Sequence, residues 1–361
     1  MSPHRLSRWL GVGLLIAAGA GCGDSRVPPE DPSVCTDAWQ PLTPPKPFDI
    51  TSSLAYRDGV LYFMTGFPET LFALSTDGRT QNVLAPVFGW DPWIEGDQIL
   101  YWVGNQVFGV PLTGGAAELR FDGGVDRRGS STAALRHAST PTDFFWTENP
   151  ILNGPTNVWR APRVGGAPAK LGTATATEPP RDPLPFQSTM AVSNDSVVLA
   201  SLFGIAVAVP LDGSAPRPLA RPAGVGDSDF AFISDDADGV TWSIPRSTTN
   251  PLGPERKLVL APADGSAVRD LWPALPAEVQ PLRSWPDGNG GRILATVAPF
   301  ADARFHAEIW TLSADGIGKR LACAPTSAGL SVRIDVRPAV TKDAVYLIAV
   351  DDTWQVVRVP R

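Results

Sequence analysis

The chain has 361 residues, with 30 Lys and Arg against 37 Asp and Glu, which gives a formal net charge of −7. This acidic balance gives no electrostatic footprint for nucleic acid, so we expect no nucleic-acid partner. With 37 Pro, 34 Gly and no long helical periodicity after the N-terminus, the chain favours an all-β fold over a helical one.

Residues 1–21 predict a signal peptide. Arg5 and Arg8 precede an uncharged apolar stretch that ends at Ala20 and is short for a membrane span. The sequence Gly19-Ala20-Gly21-Cys22 resembles a bacterial lipobox, although Gly19 stands where Leu is preferred. That resemblance implies a lipid on Cys22 and a membrane-anchored protein of the cell envelope, on its periplasmic face or at the cell surface. The alternative is an ordinary cleaved signal with an unrelated cysteine.

Residues 22–36 are polar and Pro-rich, which predicts a flexible tether. Residues 37–361 predict a single β-propeller domain, because one phrase recurs seven times along them. An acidic or small turn residue is followed by apolar residues two and four positions later. The copies begin at Asp58, Asp97, Thr142, Asp195, Asp238, Gly291 and Asp343.

A second landmark follows six of these phrases. An apolar strand leads into a turn with glycine, such as Asp-Gly, and such turns are typical of hairpins. The glycines are Gly78, Gly114, Gly165, Gly213, Gly265 and Gly316. Each unit therefore predicts four antiparallel strands, which is one propeller blade. Wide apolar residues in the repeated phrase are interpreted as packing between blades.

The seventh unit lacks its fourth strand, because the sequence stops at Arg361. Trp39 to Pro44 resembles the fourth strands of other units, so we predict that this segment completes the last blade and closes a seven-bladed ring. An outer strand tolerates the prolines there. A six-bladed ring with an additional hairpin is the alternative.

Cys35 and Cys323 are the two cysteines beyond Cys22. In an oxidising compartment such a pair predicts one disulfide bond, from the start of the domain to its penultimate blade. Two unpaired thiols remain the alternative.

Two pairs of matches carry a resemblance to a group of known propellers. These are DQILYW with VFGVPLTGG, and DSVVLA with VAVPLDG. The chain resembles lipoprotein-anchored bacterial β-propellers, and more broadly the TolB-like and YWTD propellers. The resemblance implies a binding or scaffolding role more than catalysis, and its motifs are structural.

Sequence motifs of nucleophilic, metal or nucleotide chemistry do not occur, so we assign no catalytic residue, metal or cofactor. His306, near Glu308, is interpreted as a surface-loop histidine. The acidic stretches around Asp236 and Asp287 are interpreted as solvated turns between first and second strands rather than as calcium sites.

Loop lengths give the functional prediction. The long connections fall between second and third strands and between blades, which lie on one face of a propeller, and binding is usually found on such loops. Arg and aromatic side chains are typical anchors of interfaces. The candidate binding residues are Arg246, Arg256, Trp285, Phe300, Arg304 and Phe305.

The sequence thus favours a non-catalytic envelope lipoprotein that binds an unidentified protein, peptide or glycan through its long-loop face. Enzymatic activity stays open, and the alternatives are a propeller hydrolase or lyase with a pore-centred site and a purely structural envelope component.

Overall fold

The computed structural model describes residues 39–47, 52–66, 69–123, 136–148, 155–175, 190–200, 205–222, 231–245, 256–273, 275–276, 279–299, 305–323, 331–332, 336–350 and 353–361. These residues form 30 β-strands and no helix. It follows that none of these segments forms a helix able to cross a membrane. The strands are arranged as seven antiparallel sheets, which are the blades of a β-propeller.

Six blades each contain four consecutive strands, numbered from the innermost to the outermost. Blade 1 contains β3 (Ala55–Arg57), β4 (Val60–Gly66), β5 (Glu69–Ser75) and β6 (Gln81–Ala85); blade 2 contains β7 (Trp90–Glu95), β8 (Gln98–Val103), β9 (Gln106–Pro111) and β10 (Glu118–Asp122); blade 3 contains β11 (His137–Ser139), β12 (Asp143–Glu148), β13 (Thr156–Pro162) and β14 (Ala169–Ala174). Blade 4 contains β15 (Ala191–Val192), β16 (Ser196–Ala200), β17 (Ala206–Pro210) and β18 (Arg217–Pro218); blade 5 contains β19 (Ala231–Asp236), β20 (Gly239–Pro245), β21 (Arg256–Pro262) and β22 (Arg269–Trp272); blade 6 contains β23 (Gln280–Pro286), β24 (Arg292–Pro299), β25 (Phe305–Leu312) and β26 (Gly318–Cys323).

Blade 7 combines the two ends of the chain, which confirms the predicted closure and the seven-bladed ring. Its inner position is shared by β27 (Ser331–Val332) and β28 (Ala339–Val340), followed by β29 (Ala344–Val350) and β30 (Thr353–Pro360). The outer position is filled by β1 (Gln40–Pro41) and β2 (Lys46–Pro47), which both pair with β30. Between them, Leu42 N–H donates to the Val356 carbonyl at 2.8 Å and Val356 N–H donates to Thr43 Oγ1 at 3.0 Å.

The buried apolar residues form seven clusters, one between each pair of neighbouring blades. One of them joins blade 7 to blade 1 through Trp354, Tyr346 and Phe63. The core of the protein is therefore a series of apolar layers arranged around the ring. The prediction that the wide residues of the repeated phrase pack between blades is confirmed, since Tyr101, Trp146 and Trp242 are each 2 % exposed or less.

Aligning the seven copies of the phrase by their first residue was wrong by one position in two blades, 1 and 6. In blades 2 and 7, for example, Tyr101 and Leu347 face the preceding blade. Tyr62 of blade 1 and Ala295 of blade 6 instead face the following blade. Successive residues of a strand point to opposite faces, so a shift of one residue at the preceding turn reverses every side chain. The sequence phrase alone does not register that shift.

Arginines connect neighbouring blades on the face that carries the tight first-to-second and third-to-fourth turns, which we call the turn face. The contacts, in ring order, are Arg57 to the Gly96 carbonyl, Arg163 to Glu95, Arg160 to the Leu211 carbonyl (3.4 Å), Arg217 to the Asp264 carbonyl (2.6 Å), Arg292 to Asp236, and Arg361 to Asp287 (2.7 Å). They join every pair of blades from 1–2 to 6–7. Blades 7 and 1 are joined by Lys46, whose Nζ lies 4.7 Å from the Phe72 ring centroid, and by the Leu54 N–H, which donates to the Arg337 carbonyl at 3.0 Å.

Two of these contacts correct the interpretation of the acidic stretches as solvated turns. The Asp236 and Arg292 side chains are 8 % and 6 % exposed, and Arg292 also donates to Ser284 Oγ at 2.5 Å. The Asp287 side chain is 7 % exposed and pairs with Arg361 at the end of the chain. Both carboxylates hold blades together. His306 is likewise placed in β25 and not in a loop.

We expect Trp39→Ala to lower the free energy of unfolding by about 3–5 kcal/mol, the usual cost of truncating a buried Trp. Trp39 is 6 % exposed and packs with Val357, Val359 and Trp285 between blades 6 and 7. Urea denaturation measures this loss. Trp90→Ala is the matched control, because Trp90 is 45 % exposed and its loss should cost far less. Equal losses in the two variants would contradict the packing role of Trp39.

Candidate functional site

The face opposite the turn face, which we call the long-loop face, is uneven. In blades 7, 1 and 2 the second and third strands are joined by two residues each, 351–352, 67–68 and 104–105. In blades 3 to 6 the corresponding connections are 149–155, 201–205, 246–255 and 300–304. The sequence predicted long connections on this face, and the strand bounds confine those of the second-to-third type to four consecutive blades. Within blades, the connections on this face are therefore short in blades 7, 1 and 2 and longer in blades 3 to 6.

The predicted binding residues divide into three groups. Arg246, Phe300 and Arg304 lie outside the described residues, and their role stays a prediction. Phe305 is the first residue of β25, at the long-loop edge of blade 6. Arg256 is at the same edge of blade 5, where its Nε donates to Ser243 Oγ at 2.8 Å and its Nη2 to the Ser243 carbonyl at 2.7 Å. The Arg256 guanidinium is thus hydrogen-bonded within its own blade.

Trp285 is placed differently from the prediction. It lies near the end of β23 and pairs with Ile293, next to the turn face. It is 8 % exposed and belongs to the apolar layer between blades 6 and 7. Its burial assigns Trp285 to packing, because a side chain in this layer offers almost no surface to a partner.

A feature that the sequence analysis missed is a β-bulge in β7 of blade 2. Trp90 is opposite Trp102 and Trp93 is opposite Leu100, so Asp91 and Pro92 together face Tyr101. Asp91 has φ +48°, a left-handed conformation that such bulges usually give to glycine. Gly89 fixes the backbone before the bulge, since a Cβ there would clash with the Tyr101 ring.

The bulge leaves two exposed side chains at the long-loop edge of an inner strand. Trp90 is 45 % exposed and contacts the Phe88 ring edge-to-face at 5.1 Å. The exposed Asp91 carboxylate accepts a hydrogen bond from Ser53 Oγ at 3.4 Å and forms no ion pair with a described residue. Inner strands line the central channel of a propeller. We call Trp90, Asp91 and Ser53 the channel-edge cluster.

A neutral histidine, His137, packs beside this cluster. His137, at the start of β11, stacks on Trp102 with ring centroids 4.5 Å apart, and its Nε2–H donates to the Gly104 carbonyl at 2.7 Å. Burial lowers the pKa of His137 to about 4, against a smaller opposing effect of the Asp91 charge. His137 is therefore uncharged at neutral pH and holds blades 2 and 3 together through an aromatic contact.

Two arginines also lie near the channel-edge cluster. Arg136 precedes His137 on blade 3, and its backbone N–H donates to Thr147 Oγ1 at 3.0 Å. Arg337 is exposed, and its backbone N–H donates to Ser53 Oγ at 3.1 Å. Arg337 is thus an exposed cationic residue next to Ser53 of the channel-edge cluster.

The turn face carries a separate open cleft of about 490 Å³ between blades 4 and 5. It is lined by Asp195, Asp212, Asp264 and Arg217. Arg217 is committed to the Ala263 and Asp264 carbonyls, and Asp212 and Asp264 accept the backbone N–H groups of Ser214 and Ser266 within their own turns. The charged side chains of this cleft are therefore engaged by the turns themselves, and we assign the cleft to the packing of these turns. Among the described residues, no three His, Cys, Asp or Glu are grouped so that they could hold a metal ion.

The predicted covalent sites are only partly described. Cys323, the last residue of β26, is 2 % exposed and forms a disulfide bond. Cys35 and Cys22 lie outside the described residues, so the pairing of Cys35 with Cys323 and the lipid on Cys22 stay predictions.

The burial of His137 predicts a pH dependence. Its pKa is about 4 in the folded chain and near 6.5 when exposed, so between these values the unfolded chain binds a proton that the folded chain does not. The free energy of unfolding should fall by about 3 kcal/mol from this group as the pH drops from 6.5 to 4, and then level off. His137→Phe keeps a ring against Trp102 and should remove this part of the loss in urea denaturation. Equal losses in wild type and variant would contradict the assignment.

No protein-family model matches the chain, and no curated protein matches it significantly. Solved structures do. An oligogalacturonate lyase from Vibrio parahaemolyticus is similar with a TM-score of 0.57 and 12 % identity, over 90 % of this chain and 95 % of that one. YCF48 from Cyanidioschyzon merolae is similar with a TM-score of 0.55 and 11 % identity, over 90 % and 98 %. YCF48 bound to a D1 peptide gives 0.51 and 13 %, over 92 % and 99 %.

Sequence identities this low show that the proteins share a fold, and they carry no information about function. Together with the seven sheets and the closure of blade 7, these similarities establish that the chain is a seven-bladed β-propeller.

Proposed function

We propose that this protein is a lipid-anchored scaffold of the bacterial cell envelope that binds a protein or peptide partner through its long-loop face. The observation that carries the proposal is the difference between the two faces. Arginines join consecutive blades across the turn face, and its connections have two to six residues. The long-loop face carries the longest connections within blades, 149–155 and 246–255, which have seven and ten residues.

The physical reason is that a rigid ring can hold loops of different length without changing its own packing. Binding residues are found disproportionately on loops positioned by such scaffolds. The turn face is less suited to this role, because changes in its turns would disturb the contacts between blades. YCF48 was solved with a peptide bound, which is an example of a propeller of similar fold holding a peptide. A glycan partner is the remaining alternative of the same class.

Membrane attachment is the second part of the proposal and depends on Cys22. The closing strands β1 and β2 follow directly on the predicted tether, so a lipid on Cys22 would hold the ring by its last blade.

We expect labelled palmitate to be incorporated into the protein in a bacterial host and to be absent from Cys22→Ala, because a lipobox cysteine is the acylated residue. Gel fluorography of the labelled protein measures this. Cys323→Ala is the matched control, and it should keep the label because its cysteine is buried in blade 6. Label that persists in Cys22→Ala would contradict lipidation at this position.

Shortening one loop should remove binding while keeping the fold. We would replace 246–255 by Asn-Gly, so that β20 and β21 join through two residues, as β8 and β9 do. Chemical crosslinking in intact cells followed by mass spectrometry should show at least a tenfold loss of the main crosslinked partner, with an unchanged melting temperature.

The control variant carries Val164→Ser and Ile317→Ser, which are 94 % and 65 % exposed at turns of the turn face. It should crosslink as the wild type does. If the control variant lost the crosslinked partner while the loop variant kept it, the partner would bind the turn face and the proposal would be overturned. A wild-type protein that crosslinks to no partner would do so as well.

A further inference from the structure

The channel-edge cluster combines an exposed aromatic ring with an exposed carboxylate on adjacent residues. Trp90 is 45 % exposed, whereas Trp102 of the same blade and Trp146 of the next blade are each 1 % exposed. The Asp91 carboxylate receives one hydrogen bond, from Ser53, and forms no ion pair within the described part of the chain. Both groups are therefore available to a partner.

The backbone at Asp91 is unusual for a residue with a side chain. A left-handed φ in a bulge is a conformation in which glycine is not strained and most other residues are. The bulge displaces Asp91, the residue next to Trp90, from the regular alternation of β7.

A Trp face attracts cations through its quadrupole, and a neighbouring carboxylate adds a charge contact. We propose that Trp90 and Asp91 form a subsite for the cationic side chain of a lysine or arginine in a peptide partner. This inference rests on the proposed function, since it names the chemistry by which the long-loop face would hold its partner.

The surroundings limit what this subsite accepts. His137 is uncharged and adds no repulsion, whereas Arg136 and Arg337 on blades 3 and 7 are cationic. Arg337, which is exposed and whose backbone N–H donates to Ser53 Oγ, disfavours a run of basic residues next to the subsite.

The test uses peptides of defined sequence and the folded wild-type chain. The probe is N-acetyl-Gly-Gly-Lys-Gly-Gly-amide, and the matched probes carry norleucine or glutamate in place of the lysine. Chemical shifts of the Trp90 indole N–H and the Asp91 backbone N–H report binding at this position. We expect the lysine peptide to bind with millimolar affinity, at least tenfold more tightly than either matched probe.

The variant Asp91→Asn removes the charge but keeps an acceptor for Ser53 and tolerates a left-handed φ. It should weaken lysine-peptide binding at least tenfold without lowering the melting temperature, and Trp90→Ala should weaken binding similarly. Asp58→Asn is the matched control. Asp58 has the same φ of +48° and an 88 % exposed side chain, but it lies in the β3–β4 turn on the turn face. It should bind the peptide as the wild type does.

Unchanged binding by Asp91→Asn, or equal binding of the lysine and norleucine peptides, would overturn the subsite. The proposed function would survive that result if shortening 246–255 still removed the crosslinked partner. Conversely, selective lysine-peptide binding that depends on Asp91, in a protein without a crosslinked partner, would support the subsite and reject the proposed function.

Discussion

The fold depends on the pairing of the N-terminal strands β1 and β2 with β30. A propeller without this pairing would end in a blade with an unpaired outer edge, which is prone to aggregate. The pairing also joins residues more than 300 positions apart, as in the hydrogen bond between Val356 N–H and Thr43 Oγ1. Trp39 extends it by filling the apolar layer between blades 6 and 7. Every other blade is complete by itself, so this one depends on the closure of the ring.

Two kinds of contact hold neighbouring blades together, the apolar layers and the arginine contacts. Apolar layers hold all seven interfaces between blades, and the arginines add polar contacts on the turn face. The partly exposed ion pair of Arg163 and Glu95 contributes about 0–1 kcal/mol, whereas breaking the buried pair of Asp236 and Arg292 would cost several kcal/mol. Within the described part of the chain, the arginine contacts lie on the turn face, and the channel-edge cluster lies on the long-loop face.

The sequence could predict the features that repeat. Turn glycines at regular spacing and a segment that resembles a fourth strand were enough for the number of blades and the closure, because each is a local pattern copied along the chain. The side-chain facing of blades 1 and 6 was not predictable, since it depends on a one-residue shift at a turn. Trp285 was a candidate binding residue because aromatic side chains are typical anchors of interfaces, but it is buried against blade 7.

The candidate site was harder to predict for the same reason. Asp91 occurs in the sequence Trp-Asp-Pro-Trp, and its position in the bulge follows from the pairing of β7 with β8. The Trp-Asp-Pro-Trp sequence, with a proline inside a strand, is the one signal that could have indicated an irregular inner strand. Asp236 and Asp287 likewise resemble ordinary turn residues until their arginine partners, 56 and 74 positions away, are known.

Hydrogen exchange of the closing blade tests the account most directly. The Leu42 N–H donates to the Val356 carbonyl, and the Val356 N–H donates to Thr43. If closure holds the ring together, both amides should exchange only through global unfolding, as slowly as amides in the central strands of blades 2 to 5. Rapid exchange of these two amides, with the rest of the ring still protected, would show that the ring is stable without its closure and would contradict the account.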